Sequence, residues 1–175
     1  TELLRALAVT VEGAYVPALY KVTYGSDGTI EKFWPAQGVP STVKKAVAEA
    51  LVSYNTCSTV LTARTTFGNT YLIEGARGCP HGCRFCAAGY VYRPPRFRTA
   101  AQLEEALQSA SRQAKSVGLV AAAVADIPSL EAFCAKAIDC RLGISFSSLR
   151  ADLLTEPLLR ALRRTGTKTV TIAPD

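Results

Sequence analysis

Three of the six cysteines crowd into one short stretch, Cys79-Pro-His-Gly-Cys83-Arg-Phe-Cys86. With no secretory signal ahead of it, such a thiol cluster reads as metal binding or redox chemistry rather than as a disulfide framework. The spacing is CxxxCxxC, not paired CxxC. Three thiolates on one loop can hold three irons of a cubane cluster and leave the fourth iron open. An open metal position can take a substrate or a second cofactor, as in a catalytic zinc site. A second reading of the same thiols is a zinc knuckle, with His81 or Cys57 as fourth ligand. Cys134 falls on an apolar helical stripe and reads as core. Cys140 reads as structural.

His81 is the only histidine. Sites built from several imidazoles are therefore excluded, and Ser-His-Asp chemistry would have to use His81 as its base. Arg77, Arg84, Arg93, Arg96 and Arg98 surround the cysteines in a stretch free of acidic residues. Guanidinium groups there would offset the negative charge of thiolates and sulfides. They could also contact a phosphate-bearing substrate. A nucleic-acid surface also wants exposed base-stacking aromatics, and Tyr90 and Tyr92 are too little evidence for one.

The chain has 175 residues, of which 49% are hydrophobic and 19% charged, with a net charge of +6. That suffices for a real core and excludes disorder. No apolar run is long enough for a membrane span. No signal peptide is visible, so the cytoplasm is the expected location. The chain starts at Thr1 and has no Met, which reads as a piece of a longer protein or a processed one.

Two regions must position the chemistry. Residues 1–66 read as a small α+β lead-in. Thr1–Val9 looks helical, Tyr20–Tyr24 and Thr29–Trp34 flank a Gly25-Ser26-Asp27-Gly28 hairpin turn, and Ser41–Leu51 reads as a helix with a stripe of Val43, Val47, Ala50 and Leu51. From residue 67 strands and helices alternate. Strands are expected at Tyr71–Glu74, Val117–Val124, Leu142–Ser147 and Lys168–Ala173. Helices are expected at Thr99–Ala114, with a Thr99/Gln102 capping box, and at Ser129–Ile138 and Thr155–Arg164. This order is that of an α/β protein with a parallel sheet. Four strands do not close a barrel. In parallel barrels, sites gather at the carboxyl ends of the strands, which singles out Asp126, Ser147, Arg150 and Asp175.

The stretch Glu74-Gly-Ala-Arg-Gly-Cys79-Pro-His-Gly-Cys83-Arg-Phe-Cys86 resembles the radical S-adenosylmethionine (SAM) superfamily. The resemblance lies in CxxxCxxC with an aromatic, Phe85, before the last cysteine, placed after a first strand. It implies a partial TIM-type (β/α) barrel with its first four strands in this chain, over residues 67–175. It also implies a 4Fe-4S cluster on Cys79, Cys83 and Cys86, with SAM chelating the fourth iron. Reductive cleavage of SAM would then yield a 5′-deoxyadenosyl radical. Phe85 would lie beside the adenine. Arg150 would pair with the SAM carboxylate and Ser147 would hydrogen-bond it. Asp126 and Asp175 would accept from the ribose hydroxyls or the amino group.

Glu12-Gly-Ala-Tyr-Val-Pro17, Ala87-Ala-Gly-Tyr-Val-Tyr-Arg-Pro-Pro-Arg96, Ser147-Ser-Leu-Arg-Ala-Asp152 and Thr171-Ile-Ala-Pro-Asp175 are similar to the branch that often carries an upstream cobalamin-binding domain. Cobalamin is thus an expected further cofactor, held by a domain outside this chain. Two features depart from the family. Val124-Ala-Asp126 stands where many members have Gly-Gly-Glu, and the last barrel strands are absent. The expected partners are an electron donor of flavodoxin or ferredoxin type and a substrate that the sequence does not identify. Competing readings are a non-catalytic zinc or iron–sulfur module, and an RNA-binding module using the arginine loop.

Overall fold

The computed structural model describes residues 2–48, 50–54 and 56–173, so Asp175 and its expected role lie outside the described residues. The chain divides into two compact units, Thr1–Ala48 and Glu49–Asp175. Among the described residues no helix is long and apolar enough to cross a membrane.

The first unit holds helix α1 (Glu2–Thr10) and the antiparallel hairpin β1 (Tyr20–Tyr24) and β2 (Ile30–Pro35). Asp27 makes the turn: its Oδ1 accepts from the backbone N–H of Thr29 at 3.0 Å and from the Thr29 hydroxyl at 2.7 Å. Such a local side-chain bond is why Asp favours turns. Ala8, Tyr20 and Val39 form a small core, and Tyr15 and Phe33 pack against the Tyr20 ring.

Among the described residues of Ser41–Leu51 the expected helix is absent. Residues 43–48 are irregular and Leu51–Ser53 form a single 3-10 turn. Its apolar stripe is divided: Val43 packs on the first unit's core, whereas Leu51 belongs to the second unit. A short helix takes most of its stability from packing one continuous face, and this segment has none.

The second unit is built on a parallel three-stranded sheet ordered β3 (Thr70–Glu74), β6 (Ser116–Val120), β7 (Gly143–Phe146). Between β3 and β6 come two short strands, β4 (Ala76–Arg77) and β5 (Arg96–Phe97), a one-turn helix α2 (Ala88–Val91), and α3 (Ala100–Ser111). Helix α4 (Leu130–Asp139) links β6 to β7, and α5 (Glu156–Arg164) follows the two-residue strand β8 (Leu149–Arg150). The capping box on α3 and the Thr155 cap on α5 are in place.

Alternating burial along β3, continuous burial through Val117–Leu119 of the central β6 and 3.6-period burial along the helices meet in one core. Tyr71, Ile73, Val117, Leu119 and Ile144 from the sheet pack with Leu103, Leu107, Phe133, Cys134, Leu158 and Leu162 from the helices. Cys134 is fully buried and its thiol is pushed up to about 12 by desolvation, as expected of a core cysteine. Cys140 caps the end of α4, next to the start of β7.

Three further features differ from the sequence reading. Strand β6 stops at Val120 rather than Val124, because its pairing with β3 ends at Glu74 and with β7 at Phe146. Ala121-Ala-Ala-Val-Ala-Asp126 then turns, ending in a 3-10 turn over Val124–Asp126. The fourth strand is only β9 (Ile172–Ala173), and it pairs in parallel with β8 rather than extending the three-stranded sheet. Residues 56–58, placed in the lead-in by their sequence, pair with β3. Glu74 N–H donates to Thr56 O at 3.0 Å, and Ser58 N–H to Leu72 O at 2.9 Å.

Candidate functional site

The cysteine loop leaves the carboxyl end of β3 and is closed at its base by the antiparallel pair β4–β5, with Ala76 opposite Phe97 and Arg77 opposite Arg96. Glu74, the last residue of β3, accepts from Arg77 Nε at 2.7 Å and from Arg98 Nη2 at 2.6 Å. Arg98 is only 5% exposed. Its guanidinium also donates to the carbonyls of Leu51 and Tyr54 and to the Thr56 hydroxyl. Burial alone would raise the Glu74 carboxyl, but hydrogen bonds from Arg77 and Arg98 outweigh it and hold the group below its ordinary value.

Inside the loop the backbone is folded on itself. Gly78 has φ +83°, and a Cβ there would meet the Tyr92 carbonyl oxygen at 2.2 Å. A Cβ on Gly89 would meet the His81 carbonyl oxygen at 1.9 Å. Only glycine permits either approach. The Tyr90 hydroxyl donates to Gly82 O at 2.8 Å, and Arg93 Nη2 donates to Pro80 O at 3.1 Å and His81 O at 3.3 Å. Arg96 Nε donates to Pro94 O at 3.0 Å. Four of the five arginines in this stretch thus have acceptors within the protein, and Arg84 is exposed.

The result is a cavity of about 90 Å³ lined by Cys79, Cys83, Cys86 and Phe85, together with Asp126 and Arg150. Cys79 is buried and the other two cysteines are half-buried. Phe85 is 80% exposed. The lining comes from the carboxyl ends of β3, β6 and β7, the end of a parallel sheet where sites are expected. Small residues, Ala122 to Ala125 with Val124 among them, form one wall.

Asp126 and Arg150 are joined through His81. His81 Nε2 lies 2.9 Å and 2.8 Å from the two Asp126 carboxylate oxygens, and Nδ1 lies 3.3 Å from Arg150 Nη1. A carboxylate only accepts and a guanidinium only donates, so Nε2 carries the hydrogen and Nδ1 the lone pair. Arg150 is backed by Asp152, with Nε to Oδ1 at 3.0 Å and Nη2 to Oδ2 at 2.6 Å. Those bonds hold the Asp152 carboxyl below its ordinary value.

Of the residues singled out by sequence, the three cysteines, Phe85, Asp126 and Arg150 share this cavity. Ser147 does not line it; its hydroxyl donates to Ala121 O at 3.3 Å, and its neighbour Ser148 takes the lining position. Cys57 lines a separate cavity of about 310 Å³ with Ile73, Glu74 and Arg98. Burial pushes its thiol up, despite a hydrogen bond with Tyr71. Among the described residues no three His, Cys, Asp or Glu side chains gather where they could hold a single metal ion. The roles of Glu74 and His81 in holding the loop were not visible from spacing. The clue to the first was a lone carboxylate beside an acid-free arginine cluster. For His81 the clue was its place between two cysteines.

The Radical SAM superfamily model matches residues 73–175, which begin on β3 and include the whole cysteine loop. An uncharacterized protein of Methanocaldococcus jannaschii is 40% identical over 114 residues, covering 62% of this chain. The chain spans 24% of that relative's length. With the family match covering more than half of the chain and the three cysteines lining one cavity, the chain belongs to the radical SAM superfamily.

Proposed function

We propose that this chain is the cluster-bearing part of a radical SAM enzyme, with Cys79, Cys83 and Cys86 each ligating one iron of a 4Fe-4S cluster. The observation that carries this reading is that the three thiols, Phe85, Asp126 and Arg150 line one cavity at the carboxyl ends of parallel strands. The donor set fits the group. Cubane ligands each take a different vertex, whereas the ligands of a zinc ion converge on one point. Both ring nitrogens of His81 are engaged by Asp126 and Arg150, and Cys57 lines another cavity. Neither residue therefore stands ready as the fourth ligand of a zinc knuckle.

When bound, the cluster supplies a low-potential electron to the sulfonium of SAM and so starts radical chemistry. The protein's own part is to hold and shield. Gly78 and Gly89 let the loop fold closely enough to turn its sulfurs into the cavity. The alanine wall leaves room beside the loop. Asp152 occupies the Nε–Nη2 edge of Arg150, so a carboxylate would take the remaining Nη1 and Nη2 hydrogens, and Asp126 is suited to hydroxyl or ammonium donors. Phe85, exposed at the rim, offers a flat apolar face to an adenine. The chain then forms part of a (β/α) barrel, with an electron donor of flavodoxin or ferredoxin type as its partner.

Anaerobic reconstitution of the full-length protein tests this. The expected outcome is a brown protein with broad absorption near roughly 400 nm, about four irons, and 5′-deoxyadenosine on addition of SAM and reductant. Cys79→Ser, Cys83→Ser or Cys86→Ser should each abolish that product. A colourless protein carrying one zinc would refute the proposal.

A further inference from the structure

His81 occupies an unusual place. It lies between two cysteines of the motif, yet its side chain leaves the loop and reaches the turn that follows β6 and the end of β8. The bonds from Tyr90 and Arg93 tie the loop's carbonyls to residues of the same loop. The β4–β5 pair and Glu74 secure its base. At the tip, by contrast, His81 meets Asp126, which follows β6, and Arg150, which ends β8. These two partners have opposite requirements, an acceptor of hydrogen on one side and a donor on the other. An imidazole satisfies both with one ring, and that polarity fixes the ring's orientation.

We infer that His81 is a positioning residue that joins the cysteine loop to the strand ends, so that one side chain sets both where the sulfurs sit and how Asp126 and Arg150 face the cavity. The part concerning the loop stands on geometry alone; the part concerning the cofactor rests on the function proposed above. Outer contacts of this kind orient the groups that bind directly, and losing one commonly costs tenfold or more in affinity. Leucine at position 81 keeps the bulk but offers neither a donor nor an acceptor. Glutamine offers both on one amide, an N–H for Asp126 and an oxygen for Arg150.

The test compares wild type, His81→Leu and His81→Gln in the full-length protein. Without cluster, hydrogen exchange is followed in peptides covering residues 79–92. His81→Leu should exchange at least about fivefold faster there, with α3 unchanged, and His81→Gln should stay within about twofold of wild type. After reconstitution to equal iron content, His81→Leu should bind SAM at least about tenfold more weakly and lose the SAM-induced change in the cluster's electron paramagnetic resonance spectrum, while His81→Gln keeps it.

Wild-type exchange rates and SAM affinity in His81→Leu would overturn the inference and leave the proposed function intact. If no variant and not even wild type takes up a cluster, the proposed function fails, while faster loop exchange in His81→Leu still supports the positioning role. Should His81→Leu not fold, Asp126→Ala removes the partner from the other side. A loop that then exchanges as slowly as wild type overturns the inference as well.

Discussion

Two sets of polar and charged side chains contact the cysteine loop, and they differ in kind. At the base, Glu74 sits between Arg77 and Arg98, and the Arg98 guanidinium is closed in by backbone carbonyls of Leu51 and Tyr54. At the tip, Asp126, His81, Arg150 and Asp152 form a chain that ends in solvent, where Asp152 is exposed, and borders the cavity. The base is an anchor, because the Arg98 guanidinium is buried and losing Glu74 would leave its charge uncompensated. The tip is a latch: water can replace part of what is lost, so breaking it disturbs geometry more than folding. The same pairing of carboxylate and guanidinium therefore serves stability in one place and the site in the other, and burial decides which.

The largest effect that would break this contrast is expected at the anchor. Arg98→Met takes from Glu74 one of its two guanidinium donors and removes a donor from the carbonyls of Leu51 and Tyr54, and should cost about 2–4 kcal/mol of unfolding free energy in urea titrations. A loss below about 1 kcal/mol would mean that the base is no more than a surface pair. Gly89→Ala is expected to come next. It drives a methyl into the His81 carbonyl without touching any charge. The cost should be about 1–3 kcal/mol, and exchange should quicken in the loop but not at the Arg98 N–H, which donates to Gly75 O at the base. Equal quickening at both ends would show that anchor and latch are one unit.

Acidification sharpens the comparison with the smallest effect. The Glu74 carboxyl sits below its ordinary value of 4.5 in the folded protein. Its contribution is therefore fully present above that value and is lost as the pH falls through the lower, folded one. Urea midpoints of wild type should fall more steeply below about pH 4.5 than those of Glu74→Gln. Parallel curves would show that the anchor does not depend on an ionised Glu74.

Much of the second unit was legible from residues alone. The helices α3, α4 and α5 and the capping box at Thr99 appear where the pattern puts them, because periodicity reports directly on which face is buried. The three cysteines were visible through their spacing, and Asp126 and Arg150 through their place after expected strands. Their placement follows from where strands stop. Less local features were not. Val43 to Leu51 has a helical pattern but no single surface to pack it against. Lys168–Ala173 looks like a strand throughout, yet pairs over two residues only. Ser147 and Ser148 differ by one position, and a turn after β7 decides which of them lines the cavity.

By itself, the sequence determined the reactive groups on offer: three thiols at CxxxCxxC spacing, an aromatic beside the last of them, and alternating elements to carry them. Those are properties of residue type and short-range order, which survive without knowing any long-range contact. Only the tertiary structure decided that His81 bridges Asp126 and Arg150, and that Glu74 and Arg98 close the loop's base. Hydrogen bonds between residues 45 or 69 positions apart depend on how the strands stack, and no local pattern encodes that.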